Sequence, residues 1–150
     1  MKLLGSSLFA VLVSTVQVAS AREGQGTVSH EDDQNISIYS FDEAMECHHI
    51  LRDYGACGIS MYFKGVDQEA SFVAMPAKIF DEHGSAQNNE LCGQTIRITH
   101  QGVSRTAIVA DRNLSPDNSI DTCLDIWQAF GGHKGDGTLI RGASWVIGEL

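Results

Sequence analysis

Residues 94–111 read QTIRITHQGVSRTAIVAD. Ile96 and Ile98 alternate with Thr95, Arg97 and Thr99, the period-two pattern of a strand with one buried face. His100-Gln101-Gly102-Val103 supplies a tight reversal, after which the chain enters a second apolar run ending at Ala110. The stretch is therefore a β-hairpin with strands at 94–100 and 104–110. Its second strand stops abruptly on Asp111, Arg112 and Asn113. A strand that delivers a carboxylate to its exit end is a common way to build a site, so Asp111 is the first candidate functional residue.

On either side of the hairpin lie further short strand-like pieces at 39–47, 58–63, 71–75 and 138–147. Two helical pieces interrupt them. In DTCLDIWQAFGG, Cys123, Trp127 and Phe130 recur at helical spacing, Asp121 reads as the N-cap and Gly131 stops the turn. Trp127 is then a core residue. A shorter helical piece at 76–84 begins at Pro76. Several short strands with only brief helices imply an all-β barrel or sandwich.

The ends read differently. MKLLGSSLFAVLVSTVQVASA has one basic residue, an apolar stretch from Leu8 to Val18 and small residues at Ala19 and Ala21, the pattern of a signal peptide spanning 1–21. That stretch is about half the ~20 residues needed to span a bilayer. Residues 22–38 are polar and acidic and read as a flexible arm, followed by one domain at 39–150. Asn35-Ile36-Ser37 is a glycosylation sequon on that arm, and the Pro116 after Asn113-Leu114-Ser115 disfavours the second one.

Without the first 21 residues, nine Lys and Arg face nineteen Asp and Glu, a formal charge of −10. Such a surface repels phosphate backbones and anionic membranes, which argues against nucleic acid and membrane partners. The four cysteines, Cys47, Cys57, Cys92 and Cys123, suit two disulfides in an oxidising compartment, and three connectivities are open. Cys47-His48-His49 invites a zinc reading. Neighbours on a strand point to opposite faces, however, and no CxxC or HxxxH spacing accompanies them, so no metal and no cofactor is expected.

A wider set of residues carries a resemblance. Gly55-Ala56-Cys57-Gly58 is followed by Val73-Ala74-Met75-Pro76 and Phe80, then by Asn89 and Leu91-Cys92-Gly93-Gln94-Thr95-Ile96. AIVAD at 107–111, Ile120-Asp121, Gly137-Thr138 and Ala143-Ser144-Trp145 complete the order. This order and spacing resemble the double-psi β-barrel family of rare lipoprotein A-like domains, barwin, kiwellins, plant natriuretic peptide-like proteins and expansin first domains, over roughly residues 40 to 148. The resemblance implies a six-stranded double-psi β-barrel with short helices, stapled by Cys57–Cys92 and Cys47–Cys123.

It also places Asp111 where wall-active relatives carry the aspartate that protonates a glycosidic oxygen, with Arg112 beside it. If Arg112 folds back over Asp111, its charge opposes acid catalysis. Inverting hydrolysis needs a second carboxylate, and Asp121 reads instead as the helix cap. The strand that lines the relatives' groove with a hydroxyl and aromatic rings corresponds here to Glu43–Cys47, which has neither. Tyr54 and Tyr62 are then the rings available to bind sugar. With no second domain after residue 150, the chain reads as a lone secreted monomer. The expectation is a non-catalytic extracellular binding protein engaging a protein or a cell-wall polysaccharide, of effector or defence type, with loops 64–70 and 81–91 supplying contacts. The alternatives are an expansin-like or lytic wall-active protein using Asp111, and a cysteine-protease inhibitor.

Overall fold

The computed structural model describes residues 27–148. Six strands close into a barrel: β1 (Val28–Ile38), β2 (Phe72–Pro76), β3 (Thr95–His100), β4 (Val103–Asn113), β5 (Ser119–Thr122) and β6 (Ile140–Ile147). Around the barrel the order is β1-β5-β2-β4-β3-β6. β1 pairs in parallel with β5 and β2 with β4, while the other contacts are antiparallel. This is the disulfide-stapled double-psi arrangement. Among the described residues every strand has a neighbour on both sides, and such closure removes the open edges to which another chain could pair.

The hairpin forms as its alternation requires: Ile96 and Ile98 are fully buried and Thr95 and Arg97 are exposed. Four short helices fill the connections: α1 (Ala44–Tyr54), α2 (Ile59–Tyr62), α3 (Ala77–Glu82) and α4 (Leu124–Ala129). Trp127 on α4 is buried in the core. Among the described residues no helix is long and apolar enough to cross a membrane. Cys47 bonds to Cys123, tying α1 to the start of α4, and Cys57 bonds to Cys92.

Three local readings need correction. The arm at 22–38 is not an arm from Val28 onward, because those residues form β1, paired with β5 on one side and β6 on the other. Two register shifts break its alternation between His30 and Ile36. Its inward polar residue, Gln34, accepts a hydrogen bond from the indole of Trp145 at 3.3 Å, so a hydrophilic strand loses little by burial. The 1–21 signal reading lies outside the described residues, as do residues 22–26.

The strand expected at 39–47 is instead the entry to α1, whose buried Cys47, His48 and Leu51 share one helix face. Likewise 58–63 contains α2 and no strand. Finally, Asp121 does not cap a helix. It lies on β5, and Cys123 occupies the N-cap of α4.

Candidate functional site

The strand registers bring one row of side chains to a common face. Ala74 on β2 pairs with Asp111 on β4 and with Asp121 on β5, and Asp121 pairs with Ser37 on β1. Register partners in adjacent strands point the same way, so the row runs Asp111, Ala74, Asp121, Ser37 across four strands. The two aspartates sit two strand spacings apart, about 10 Å between Cα atoms at ~4.8 Å per spacing. The small Ala74 between them is fully buried, so the surface of this trough is made by the two half-buried carboxylates and by the half-buried Ser37, not by the Ala74 methyl group.

Asp111 is held firmly. Its Oδ1 accepts the backbone N–H of Ala56 at 2.7 Å and that of Arg112 at 2.8 Å, leaving Oδ2 without a hydrogen-bond partner among the described residues. The Ala56 donor belongs to the GACG turn, which is zipped to β4 by Cys57 N–H to the Ala110 carbonyl at 3.0 Å and anchored by Cys57–Cys92. Gly55 is required there by space: a Cβ would lie 2.4 Å from the carbonyl oxygens of Ala110 and Leu51 and 3.0 Å from Asp111 Cβ. The Arg112 guanidinium does not fold back over Asp111. It forks onto Asp81 of α3, holding that carboxyl below its usual range.

Asp121 is the perturbed member of the row. Burial raises its carboxyl above the ordinary aspartate value, and the charges of Asp117 and Asp111 add to the effect, while the Ser37 hydroxyl, which donates to its Oδ1, opposes them. Ser37 Oγ also lies 2.7 Å from Ser119 Oγ, and Ser119 donates to Asp117. Two residues after Ser37, Tyr39 stands 40% exposed at the edge of the trough. Burial, followed by the Asp111 and Asp121 charges, raises its phenol above the usual value.

The groove wall is therefore not absent, and it does not come from Glu43–Cys47. It is the end of β1, which presents the Ser37 hydroxyl, with the Tyr39 ring just beyond the strand. Neither was singled out from the sequence, although the apolar Ile36 and Ile38 alternating with Asn35, Ser37 and Tyr39 carried the signal. Tyr54 and Tyr62 lie on either side of the GACG turn, 84% and 58% exposed. The Tyr62 ring covers Gly58, where a Cβ would meet it at 2.9 Å.

Asn35 is not on an accessible arm. The Nδ2 that would carry a glycan donates to the Asp117 carbonyl at 2.7 Å, between β1 and β5. Cys47-His48-His49 has a structural use. Cys47 is bridged, and His48 is buried with Nδ1 accepting the Phe72 N–H and Nε2 facing both oxygens of Asp125, each at 3.0 Å. Among the described residues no three His, Cys, Asp or Glu side chains gather as metal ligands.

No family model matches the chain, and no curated protein matches it. Solved structures do match. An apo expansin from Clavibacter michiganensis is similar with a TM-score of 0.50 at 14% identity, covering 81% of this chain and 51% of that one. This chain thus spans about half the length of that protein. The Streptomyces papain inhibitor SPI matches with a TM-score of 0.49 at 21% identity, over 81% of this chain and 96% of that one. Cerato-platanin 2 from M. perniciosa matches with a TM-score of 0.49 at 17% identity, over 79% and 94%. At these identities the likeness is one of fold.

Proposed function

We propose that the protein is an extracellular binding protein that lays a neutral polysaccharide chain along the trough between β4 and β1. One observation carries this reading: the half-buried Asp111, Asp121 and Ser37 form a single row across the buried Ala74, edged by the exposed Tyr39. Carboxylates and a hydroxyl accept and donate the hydrogen bonds that sugar hydroxyls need, and the ring of Tyr39 offers a stacking face. The exposed rings of Tyr54 and Tyr62, which flank the GACG turn, are further candidates for sugar contact. The two carboxylates disfavour an anionic polymer in this trough. The disulfides suit an oxidising compartment, in keeping with the reading of residues 1–21 as a secretion signal. The rigid barrel loses little entropy on docking.

A second reading has its own support. A general acid must keep its proton near working pH, and Asp121, raised by burial, is better suited to do so than a solvated carboxyl. Asp111, two strands away on the same row, would be the second carboxylate that inversion needs. On this reading Asp121 protonates the leaving oxygen and Asp111 activates water.

Sedimentation with cellulose, xylan and chitin, together with reducing-end release, tests both readings. Binding that Asp111→Asn and Tyr39→Ala each weaken, with no release of reducing ends, is the expected result. Release abolished by Asp121→Asn favours hydrolysis. Retention on none of the polymers, or equal retention of both variants, removes the groove from the account.

A further inference from the structure

Behind Asp121 lies a chain of oxygen contacts whose hydrogens do not add up. Ser37 on β1 and Asp121 on β5 are register partners, as are Asn35 and Ser119 two residues earlier on the same parallel pair. Side chains two apart on a strand share a face, so Ser37, Asp121 and Ser119 meet there. Asp117, in the connection between β4 and β5, extends the chain. Ser37 Oγ touches Asp121 Oδ1 and lies 2.7 Å from Ser119 Oγ, and Ser119 Oγ lies 2.5 Å from Asp117 Oδ1.

Each of these contacts needs a hydrogen between its oxygens, and at such distances no water fits inside. There are three contacts, and two serines bring only two hydrogens. With both carboxyls ionised, Ser37 donates to Asp121 and Ser119 to Asp117, which leaves the two hydroxyl oxygens facing each other at 2.7 Å with nothing between them. The Ile120 carbonyl, 3.3 Å from Ser37 Oγ, is one more acceptor. Asn113 Nδ2 donates to Ser119 Oγ at 3.1 Å and to the Ser119 carbonyl at 2.9 Å. It fills a Ser119 lone pair but places no hydrogen between the serines.

We propose that Asp121, Ser37, Ser119 and Asp117 form a proton relay that holds one hydrogen more than its two hydroxyls supply, with Asp121 as the resting acid. In that state Asp121 donates to Ser37, Ser37 to Ser119 and Ser119 to Asp117, and every contact is filled. A concerted shift breaks one O–H bond at Asp121, Ser37 and Ser119 and forms one at Ser37, Ser119 and Asp117. Each serine keeps one hydrogen, so the net change is one proton moved from Asp121 to Asp117, and the reverse shift returns it. Asparagines hold the remote end: Asn113 fixes Ser119, and Asn35 donates to the Asp117 carbonyl at 2.7 Å. Asp117 adjoins the exposed residues 114–116. The trough acid therefore exchanges its proton with solvent at Asp117 while a bound chain covers Asp121.

The surroundings favour Asp121 as the holder. Burial is the main cause that raises its carboxyl, and the charges that reach it are those of Asp117 from the loop and Asp111 from β4. Beside it β2 presents Ala74, and the phenol of Tyr39 lies beyond β1. Among the described residues no Lys, Arg or His forms an ion pair with any of the three aspartates. The relay belongs to the free protein. Only its use on a sugar oxygen rests on the trough reading.

Carboxyl carbon NMR of the mature protein, without ligand, tests it. Asp121 should keep its proton to a pH above the ordinary 3.8. Ser119→Ala decides the matter, because residue 119 does not touch Asp121 yet its loss frees the Ser37 hydrogen for the Asp121 carboxylate. The Asp121 midpoint should then fall by about one pH unit, the worth of a hydrogen bond to a charged group. A packing role for Ser119 leaves it unmoved. Asp117→Asn should lower it too, since an amide N–H fills the Ser119 contact from the other end. Near-UV circular dichroism checks the fold of each variant. Low-field proton NMR of the parent needs no variant and should show three relay O–H hydrogens. A parent midpoint at or below 3.8, two relay hydrogens, or a Ser119→Ala midpoint equal to or above the parent's overturns the relay, even where Asp117→Asn lowers it through charge alone. No polysaccharide enters the measurement, so failure of the relay and failure of the trough are read separately.

Discussion

Substituting Gly55 by alanine isolates the device that aims Asp111. The backbone at Gly55 has φ −64° and ψ 158°, a conformation any residue adopts, so torsion raises no objection. Space does. The new Cβ would stand 2.4 Å from two carbonyl oxygens, and ordinary contact begins at 3.4 Å, so the turn must retreat by 1.0 Å. That retreat carries the Ala56 N–H away from Asp111 Oδ1, stretching a 2.7 Å bond to roughly 3.7 Å, past the limit of a hydrogen bond. Overpacking costs roughly 1–3 kcal/mol and a lost bond to a carboxylate roughly 1.5–3 kcal/mol. We expect a total of about 2.5–6 kcal/mol in urea unfolding followed by tryptophan fluorescence. Asp111→Ala avoids the overpacking but loses the Ala56 bond together with the Arg112 N–H bond, and the double variant should lose less than the sum, since the Ala56 bond cannot be broken twice. Polysaccharide retention should fall in Gly55→Ala even where it remains folded. Stability within about 0.5 kcal/mol of the parent, or additive single effects, would refute the coupling between turn and carboxylate.

Two further outcomes follow from the same geometry. Because burial, then Asp117 and Asp111, raise Asp121, the folded state holds its proton to higher pH than the unfolded chain does. Stability from this group is therefore gained as pH falls through the raised value and lost as pH rises. Asp121→Asn should raise the melting temperature at neutral pH, with the advantage vanishing below the unfolded value of 3.8, a trend that thermal scans across pH will check. The disulfides should separate stability from binding. By loop entropy, Cys47–Cys123, with a sequence separation of 76, contributes about 4.5 kcal/mol, and Cys57–Cys92, with a separation of 35, about 3.8 kcal/mol. Paired Cys→Ser changes should cost more stability at the first bridge and more polysaccharide binding at the second, because Cys57 adjoins the Ala56 donor. Urea titrations and sedimentation on the same samples compare the two.

How much of this was legible depended on whether the pattern was local. The hairpin at 94–110 was, because a single strand pair and its turn fall within one window of alternating residues. The end of that run also located Asp111. β1 was not legible, because two register shifts scramble its period and its inward Gln34 is stabilised by Trp145, 111 residues away in sequence. Low hydrophobicity then looked like disorder. The strand expectations at 39–47 and 58–63 fall on the start of the helix at 44–54 and on the helix at 59–62, whose buried residues are too few to reveal a 3.6-residue period.

Asp121 shows where local reasoning reaches its limit. Asp before a helical run is a sound cap signal, and the helix does begin nearby, but its cap lies two residues later at Cys123. What moves the boundary is long-range pairing. Ile120 and Thr122 are buried, and Thr122 Oγ1 donates to the Ser37 carbonyl at 2.9 Å across a sequence separation of 85. Once β5 is drawn out to meet β1, Asp121 must face the trough, because its neighbours on both sides face the core. A parallel pair has no hairpin to announce it, so a site assembled from two such pairs leaves only its separate pieces in the sequence. Asp111 was readable because its own strand explains it. Its partners Ser37, Tyr39 and Asp121 acquire their roles only from strands that are remote in the chain and adjacent in the barrel.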